Sequence, residues 1–508
     1  MKSFQGKIVI NERRIESIDE NPGSLIIINE NTQSEFINAW AYPGFSDCHG
    51  HVAALGSKLN ELDLSKCRSA EECIEWSLLN PKYRGIWLTG RGWNEELWDD
   101  KKFPDLKILD FYYPDTPVYL ARVDGHAAWV NSKALQLAGV DKFSQDPPGG
   151  MIIKDKSGNP TGVLVDNAMD LVKKFIPKYE KEQLKELILS ACHNLASYGL
   201  TQVHEADLHP ENVKVFLELD RENKLPIKIK SYLSAQKDEW KNYDYLPSSF
   251  NNFSICGLKF YADGALGSRG AALFENYRDA DSKGFLLIEP DDLYKKAKSG
   301  LEKGFHIATH AIGDRANSMV LHTYSKLIED GITVQNSILR LEHAQTIRND
   351  DLKFLKYKNI IASVQPIHCL SDAPMAEKRL GDNCKYAYPW KSILNTGGKL
   401  VAGSDFPIES HNPIIGMDGF IRRIPFDRNE SWYHEERFSR EEAIDAYCIT
   451  PHKIFDDVLN HDNVQKGMTA DITILDTNLE TCSDDEIRKT KAIGTIVNGN
   501  IVFSDIRK

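Results

Sequence analysis

The 508-residue chain lacks several features that mark common classes of protein. It has no run of 18 consecutive apolar residues, which argues against a transmembrane helix. No basic segment followed by an apolar one opens the sequence, so we expect a cytoplasmic rather than a secreted protein. Its nine cysteines form no CxxC pair and no close cluster. That scatter argues against a disulfide framework and favours buried free thiols in a reducing compartment.

The chain is also short of positive charge. It has 62 Lys and Arg residues against 74 Asp and Glu residues, a formal net charge of -12. This balance argues against a nucleic-acid surface and is typical of a soluble protein. The partner that we expect is a small-molecule substrate. Hydrophobic residues make up 41% and charged residues 27%, as in ordinary globular proteins. The length allows several domains, although a barrel can absorb about 250 residues or more as one.

Short apolar strand patterns alternate with amphipathic helical patterns through the middle of the chain. Eight stretches fit buried strands: 41–47, 117–124, 199–206, 257–263, 305–311, 338–344, 360–366 and 399–405. This alternation predicts a parallel sheet covered by helices, and eight is the strand number of a closed barrel. An open doubly wound sheet is the alternative, but "GFSDCHGHVAALG" after the first strand has no GxGxxG phosphate turn. We therefore predict an α/β fold with a (β/α)8 TIM-like barrel.

Both ends of the sequence are rich in short β patterns, with "GKIVI" and "SLIIINE" at one end and "ADITILD" and "IGTIVNGNIVFSD" at the other. Chain ends often lie close together, so we predict one small β-sandwich domain built from both termini. The expected parts are a composite β domain from 1–42 and 461–508, a barrel over 43–410, insertions at about 57–116 and 141–168 that close over the barrel mouth, and barrel-associated helices at 411–460.

Histidines and a carboxylate stand at the ends of the predicted strands, where barrel enzymes carry their active sites. His49 and His51 are two residues apart, so both side chains point to the same side of a strand. By itself, such a pair is more often an ordinary polar pair than a metal site. Further strand-end residues are His310 in "HIATHAIGD", His343 in "ILRLEHAQ" and Asp405 in "LVAGSDFP". Together they form a ligand set suited to Zn²⁺, with Mn²⁺ or Fe²⁺ as alternatives.

The order of these strand-end residues along the chain, together with Lys259 inside the apolar "GLKFY", resembles the order of the metal ligands in the metal-dependent amidohydrolase superfamily. "GLKFYADGALGSRGAA", "THAIGDRA", "RLEHAQ" and "GSDFP" are similar to the branch of N-substituted formamide deformylase-like amidohydrolases, as are "GGMIIKDKSGNPTGVL" and "GRGWNEELW". The resemblance covers residues from about 40 to 500. It implies one or two divalent ions, with Zn²⁺ first, and a carboxylated Lys259 that bridges two of them. The implied ligands are His49, His51, Lys259, His310, His343 and Asp405. A mononuclear site would need only His49, His51, His310 and Asp405.

The ligand set and the resemblance predict hydrolysis of a non-peptide C–N bond in an amide or an N-formyl or N-acyl amine. A metal-bound hydroxide would attack the carbonyl, and Asp405 would shuttle its proton to the leaving nitrogen. Two alternatives stay open: an isomerase or lyase that uses the same ligands, and a catalytically silent scaffold. A homodimer is the default expectation for such an enzyme.

Other residues have weaker predicted roles. Candidates for substrate contact are His126, Trp93, Trp98 and Gln365, although core packing explains the two tryptophans nearly as well. Candidates for supporting the ligands and loops are Asp263, Arg269, Asp314 and His204, of which the last could equally satisfy a core hydrogen bond. His368 receives no role from the sequence.

Overall fold

The computed structural model describes residues 3–20, 24–29, 33–123, 125–332, 337–455 and 463–505, without the side chain of Glu239. Eight parallel strands lie side by side in one sheet in their order along the chain, and a short ninth strand, Ser248–Ser249, pairs antiparallel with the fourth of them. Barrel strands one to eight are Phe45–Gly50, Leu200–Leu208, Lys228–Ser234, Phe253–Tyr261, His306–Ala311, Leu339–His343, Ile360–Val364 and Lys399–Ala402. Gly50 bridges to Phe406, just beyond strand eight, so the sheet returns to strand one. The predicted barrel is confirmed as a nearly closed one.

One of the eight predicted barrel strands is wrong. Val118–Arg122, within the predicted 117–124, pairs in a different sheet, and Asp124 lies outside the described residues. The strand that takes its place in the barrel is strand three, which sequence reasoning missed. Its sequence KIKSYLS mixes lysines with apolar residues and so does not follow the pattern of a buried strand. In the structure Lys228 pairs with Asp471, and Lys230 donates to a backbone carbonyl. These partners let a polar-looking stretch lie in a buried sheet.

Helices alternate with the barrel strands, as the amphipathic patterns predict. They are Val52–Asn60, Lys181–Ser197, Val213–Arg221, Pro290–Glu302, Asp314–Glu329, Pro366–Leu380, Trp390–Asn395, Pro413–Ile421, Arg440–Cys448 and Thr450–Phe455. Several begin at recognisable signals. Ser439 and Glu442 form a reciprocal capping box at the start of one helix, and Pro366 occupies the first turn of the helix after strand seven. No helix in the described ranges is long and apolar enough to cross a membrane.

Two four-stranded sheets form the predicted composite β-sandwich. One contains Gly6–Asn11, Arg14–Glu20, Ser24–Ile28 and Gln33–Ile37, and the other contains Trp40–Pro43, Ile472–Leu475, Ala492–Val497 and Asn500–Ser504. Ile8 and Ile27 from the first sheet share a buried apolar cluster with Ile472 and Ile496 from the second. Burial of these side chains between the sheets joins the two distant parts of the chain.

Residues Gly56–Leu187 form a separate compact unit. Its strands are Leu62–Asp63, Tyr83–Arg84, Trp87–Trp93, Val118–Arg122, Ala127–Val130, Gly150–Lys154 and Pro160–Asp166, which make one seven-stranded sheet. Its helices are Ala70–Leu79, Leu106–Tyr112, Ser132–Ala138 and Met169–Lys173. The two expected insertions, 57–116 and 141–168, therefore belong with the segment between them to one unit. That this unit closes over the barrel mouth stays a prediction.

Candidate metal centre

The ends of strands one and eight are tied together by hydrogen bonds. The backbone N–H of Asp405 donates to the carbonyl of His49 at 2.7 Å. The carboxylate of Asp47 accepts from the N–H groups of His49 at 3.0 Å and Ser404 at 3.1 Å, and from the Ser404 hydroxyl at 2.6 Å. Gly403 permits this approach, since a Cβ there would lie 2.4 Å from the nitrogen of His49. The barrel closure therefore places the HxH motif beside Asp405.

His49, His51 and Asp405 bring ligand atoms within reach of one cation. His51 Nε2 lies 3.0 Å from Asp405 Oδ1, and His49 Nε2 lies 3.5 Å from the same oxygen. Two atoms that each bind Zn²⁺ at about 2.1 Å cannot be more than about 4.2 Å apart. Both separations meet this condition.

His343 and His310 complete a row of imidazoles at the same barrel end. The His343 ring lies 4.9 Å from the ring of His49 and 4.4 Å from that of His310, measured between centroids. Among the described residues, His343 Nδ1 and His310 Nε2 have no hydrogen-bond partner. His343 and Asp405 both adopt left-handed backbone conformations, with φ of 69° and 59°. Such strain in non-glycine residues is typical of functional sites.

Three of the site's imidazoles have lowered pKa values, whereas the pKa of His51 is raised because the hydrogen bond to Asp405 and its charge outweigh the effect of burial. Burial, aided by the charge of Lys259, lowers the pKa of His49 to about 4 and that of His310 to about 3. Burial also lowers the pKa of His343 well below its ordinary value. Burial opposes ionisation of Asp405, but the hydrogen bond from His51 and the neighbouring histidines outweigh it and hold its pKa below the usual range. Neutral imidazole and ionised carboxylate are the forms that bind metals.

Lys259 lies on strand four and is 1% exposed. Burial lowers its pKa, against the opposing charges of Glu342, Asp405 and Asp207. Its Nζ lies 5.3 Å from the centre of the Tyr261 ring. Lys259 is therefore buried, as its position inside the apolar "GLKFY" indicates, whereas its carboxylation stays a prediction.

A fully buried charged cluster lies behind His49, and sequence reasoning missed most of it. Glu342 Oε2 lies 2.6 Å from His49 Nδ1, and Arg340 lies 2.7 Å and 3.0 Å from the two oxygens of Glu342. Arg340 also donates to His204 Nδ1 at 2.8 Å. His204, which was predicted as a supporting residue, is thus connected to His49 through Arg340 and Glu342. Arg340 and Glu342 precede His343 within "RLEH", so charged residues in an apolar strand were the available signal.

Asp263 joins the loops after strands four and five. Its carboxylate accepts from the backbone N–H groups of Ala272 at 2.8 Å, Ile312 at 3.0 Å and Gly313 at 2.8 Å. Asp263 Oδ1 also lies 3.7 Å from His310 Nε2. Burial raises the pKa of Asp263 to about 7 despite these hydrogen bonds. Asp263 therefore ties the two loops together beside His310, and its support of this ligand stays a prediction.

The other two predicted supports lie in the same loop region. Asp314 accepts from the N–H of Phe274 at 3.0 Å, which ties the helix after strand five to the loop after strand four. Arg269 pairs with Asp279 at 3.0 Å, within the loop after strand four. Both contacts stabilise the loops rather than touching a ligand side chain.

The residues predicted to contact substrate lie in different places. Trp93 and Trp98 are buried in the apolar core of the 56–187 unit, where Trp93 donates to the carbonyl of Leu120. Their positions are those of core-packing residues. His126 is exposed in that unit, and its Nδ1 lies 2.8 Å from Asp166 Oδ1. We expected it to follow a barrel strand, but the strand before it belongs to the other sheet. Gln365 is buried directly after strand seven.

Two further residues join the site without having been predicted. His368 lies near the start of the helix after strand seven, and its Nε2 is 3.8 Å from Asp405 Oδ2. Glu205, on strand two, accepts from the N–H of Val52 at 2.5 Å, and burial raises its pKa to about 7. A histidine three residues beyond Gln365, within one turn of a strand end, was the signal for His368.

The donor set fits a divalent cation. Among the described residues, His49, His51 and Asp405 form one group whose ligand atoms lie within 4.8 Å of one another, and His343, His368 and Asp405 form another. Buried nitrogens without hydrogen-bond partners, neutral imidazoles and an ionised carboxylate are all properties of a metal site.

A nearly closed (β/α)8 barrel with these donors at its strand ends is typical of metal-dependent hydrolases. The chain belongs to the amidohydrolase family, whose sequence pattern matches residues 38–503. The chain is 32% identical over 474 residues to the putative amidohydrolase YtcJ of Bacillus subtilis (strain 168), which covers 91% of this chain and 88% of the relative. The protein is therefore a metal-dependent hydrolase.

Two further relatives bear on the branch and the fold. The N-substituted formamide deformylase of Arthrobacter pascens is 22% identical over 479 residues, covering 90% of this chain and 87% of the relative. The crystal structure of an uncharacterized metal-dependent hydrolase from Pyrococcus furiosus superposes with a TM-score of 0.76 at 26% identity, covering 94% of this chain and all of the other. The resemblance to the superfamily and to its deformylase-like branch is confirmed.

Proposed function

We propose that the protein hydrolyses a non-peptide C–N bond in an amide or an N-formyl or N-acyl amine. The observation that carries this proposal is the position of Asp405, an ionised carboxylate that lies among the candidate ligands and next to His368. The similarity to a relative named N-substituted formamide deformylase supports the choice of bond. We also expect the protein to act in the cytoplasm, as a homodimer and without nucleic acid.

One or two Zn²⁺ ions are the proposed cofactors. His49, His51 and Asp405 would hold the first ion, with His310 and His343 close by. When bound, such an ion polarises a carbonyl and lowers the pKa of water to roughly 7.

Asp405 is the proposed proton shuttle. Its Oδ1 faces the HxH motif, and the carboxylate is ionised near neutral pH, so it is in the form that a general base for the attacking water requires. It would then give this proton to the leaving nitrogen, so that an amine and a carboxylic acid are released. Loops joined by Asp263 hold the neighbouring His310 in place during these steps.

Carboxylation of Lys259, which the superfamily resemblance implies, is a separate part of this proposal. Incubation with ¹³C-bicarbonate should give a carbamate signal in the ¹³C NMR spectrum of the wild-type protein. The signal should be absent from Lys259→Met. A spectrum without it would leave Lys259 as a buried amine.

Metal removal tests the proposed reaction. After dialysis against a chelator, the protein should lose hydrolysis of a panel of N-formyl and N-acyl amines, and Zn²⁺ should restore it. Chromatography of the products should show equal amounts of amine and acid. A product of unchanged mass would instead favour the isomerase, and a metal-loaded protein inert on the whole panel would contradict the proposal.

A further inference from the structure

The two nitrogens of His49 face different partners. Its Nε2 lies 3.5 Å from Asp405 Oδ1, on the side of the candidate ligands, and its Nδ1 lies 2.6 Å from Glu342 Oε2. Glu342 is fully buried, and both of its carboxylate oxygens lie within 3.0 Å of the Arg340 guanidinium. A carboxylate paired with a guanidinium can only accept a hydrogen bond, so the atom that faces it, His49 Nδ1, carries a proton.

The guanidinium of Arg340, which pairs with Glu342, has partners on four strands of the barrel. Its guanidinium contacts both Glu342 oxygens, at 2.7 Å and 3.0 Å, on its own strand six. It donates to His204 on strand two at 2.8 Å, to Ser363 on strand seven at 3.0 Å, and to the carbonyl of Cys48 on strand one. The fully buried guanidinium therefore has partners on strands one, two, six and seven.

We propose that Glu342 and Arg340 are positioning residues for the metal centre, which hold His49 as the Nδ1–H tautomer with Nε2 free for the cation. The inference rests on the proposed function, because it requires that His49 binds a divalent cation. The contact through which they would act on the cation is the hydrogen bond between Glu342 and the ring of His49.

A rival explanation is that the cluster only stabilises the barrel. Removing one member of a buried ion pair leaves the other charge uncompensated and destabilises a protein strongly, whereas replacing both by apolar residues of similar size is often neutral. The double substitution Arg340→Met/Glu342→Leu therefore separates the two explanations. It removes both buried charges together with the acceptor for His49 Nδ1–H.

The experiment measures Zn²⁺ affinity of the full chain by competition with a chromophoric chelator, alongside thermal unfolding of the metal-free protein. We expect the double variant to unfold near the wild-type temperature but to bind Zn²⁺ about 10–100-fold more weakly. Glu342→Gln should weaken Zn²⁺ binding in the same direction, measured at a temperature where it stays folded. The matched control is Glu436→Gln, since Glu436 is a buried glutamate that bonds to Ser392 instead.

The outcomes are distinguishable. Wild-type affinity for Zn²⁺ in both Glu342→Gln and the double variant would overturn the positioning role and leave the proposed function standing. A loss of affinity in the Glu436→Gln control as large as in Glu342→Gln would also overturn it, because the effect would then be general. A wild-type protein that binds no divalent cation would instead contradict the proposed function itself.

Discussion

At the residue scale, the two oxygens of Asp405 have different neighbours. Oδ1 lies 3.0 Å from His51 Nε2, and Oδ2 lies 3.8 Å from His368 Nε2. The histidine contacts keep the carboxylate ionised although its side chain is only 12% exposed. A group with this charge and burial can bind a cation through one oxygen and exchange a proton through the other.

We expect Asp405→Asn to lower kcat by about 10²–10⁴-fold, because an amide cannot accept the proton of the attacking water. His49 and His51 remain, so at least one equivalent of Zn²⁺ should still bind. Steady-state kinetics and metal analysis of the purified variant check both expectations. Retained turnover with bound metal would contradict the shuttle role, and complete loss of metal would show that Asp405 is chiefly a ligand.

At the element scale, the site depends on how closely strand eight approaches strand one. Gly403 has no side chain at the position where the backbone of His49 passes, and Asp405 follows two residues later. The hydrogen bonds of Asp47 to His49 and Ser404 act across the same seam. The separation between the HxH motif and Asp405 is therefore set by this strand contact.

Gly403→Ala should push the two strands apart, since the new Cβ would lie 2.4 Å from the nitrogen and 2.7 Å from the Cβ of His49. We expect a loss of about 1–3 kcal/mol in the free energy of unfolding, together with weaker Zn²⁺ binding. Urea denaturation and chelator competition measure the two effects. The control is Gly267→Ala, whose Cβ would meet nothing closer than Met375 at 4.0 Å. Equal effects in both variants would contradict the strand-contact argument.

At the scale of the whole molecule, the β-sandwich requires both ends of the chain. Trp40–Pro43 pairs with Ile472–Leu475, which in turn pairs with Ala492–Val497. Thr495 donates from its hydroxyl to the carbonyl of Ala196 at 2.7 Å, so this sheet is also bonded to the end of a barrel helix. Residues more than 400 positions apart in the sequence are thus part of one folding unit.

Deletion of residues 492–508 should prevent stable folding. It removes two of the four strands of the composite sheet and the buried side chains of Ile496 and Val497. Losing a large buried side chain costs about 2–5 kcal/mol, and the total stability of a domain is only about 5–15 kcal/mol. Soluble yield and thermal unfolding measure the outcome, with deletion of 506–508 as the control that keeps every described strand. A truncated protein that melts like the wild type would refute the requirement.

The parts of the site that could be predicted from the sequence follow from local geometry. A two-residue period places His49 and His51 on one side of a strand, and barrel strands end at the same rim. His310, His343 and Asp405 were predicted by this reasoning, and the structure brings their side chains together. The composite sandwich was predicted from the short β patterns at both ends of the chain.

Tertiary structure alone decided which strands share a sheet and which buried charges pair. By pattern Val118–Arg122 resembles a barrel strand and the lysine-containing Lys228–Ser234 does not, but pairing with Leu200–Leu208 and Phe253–Tyr261 assigns only the second to the barrel. Likewise, Arg340, Glu342 and His368 acquire their roles from contacts with His204, His49 and Asp405. A sequence pattern records the direction of a side chain on its own element, whereas the partner that satisfies a buried charge lies on another element and appears only after folding.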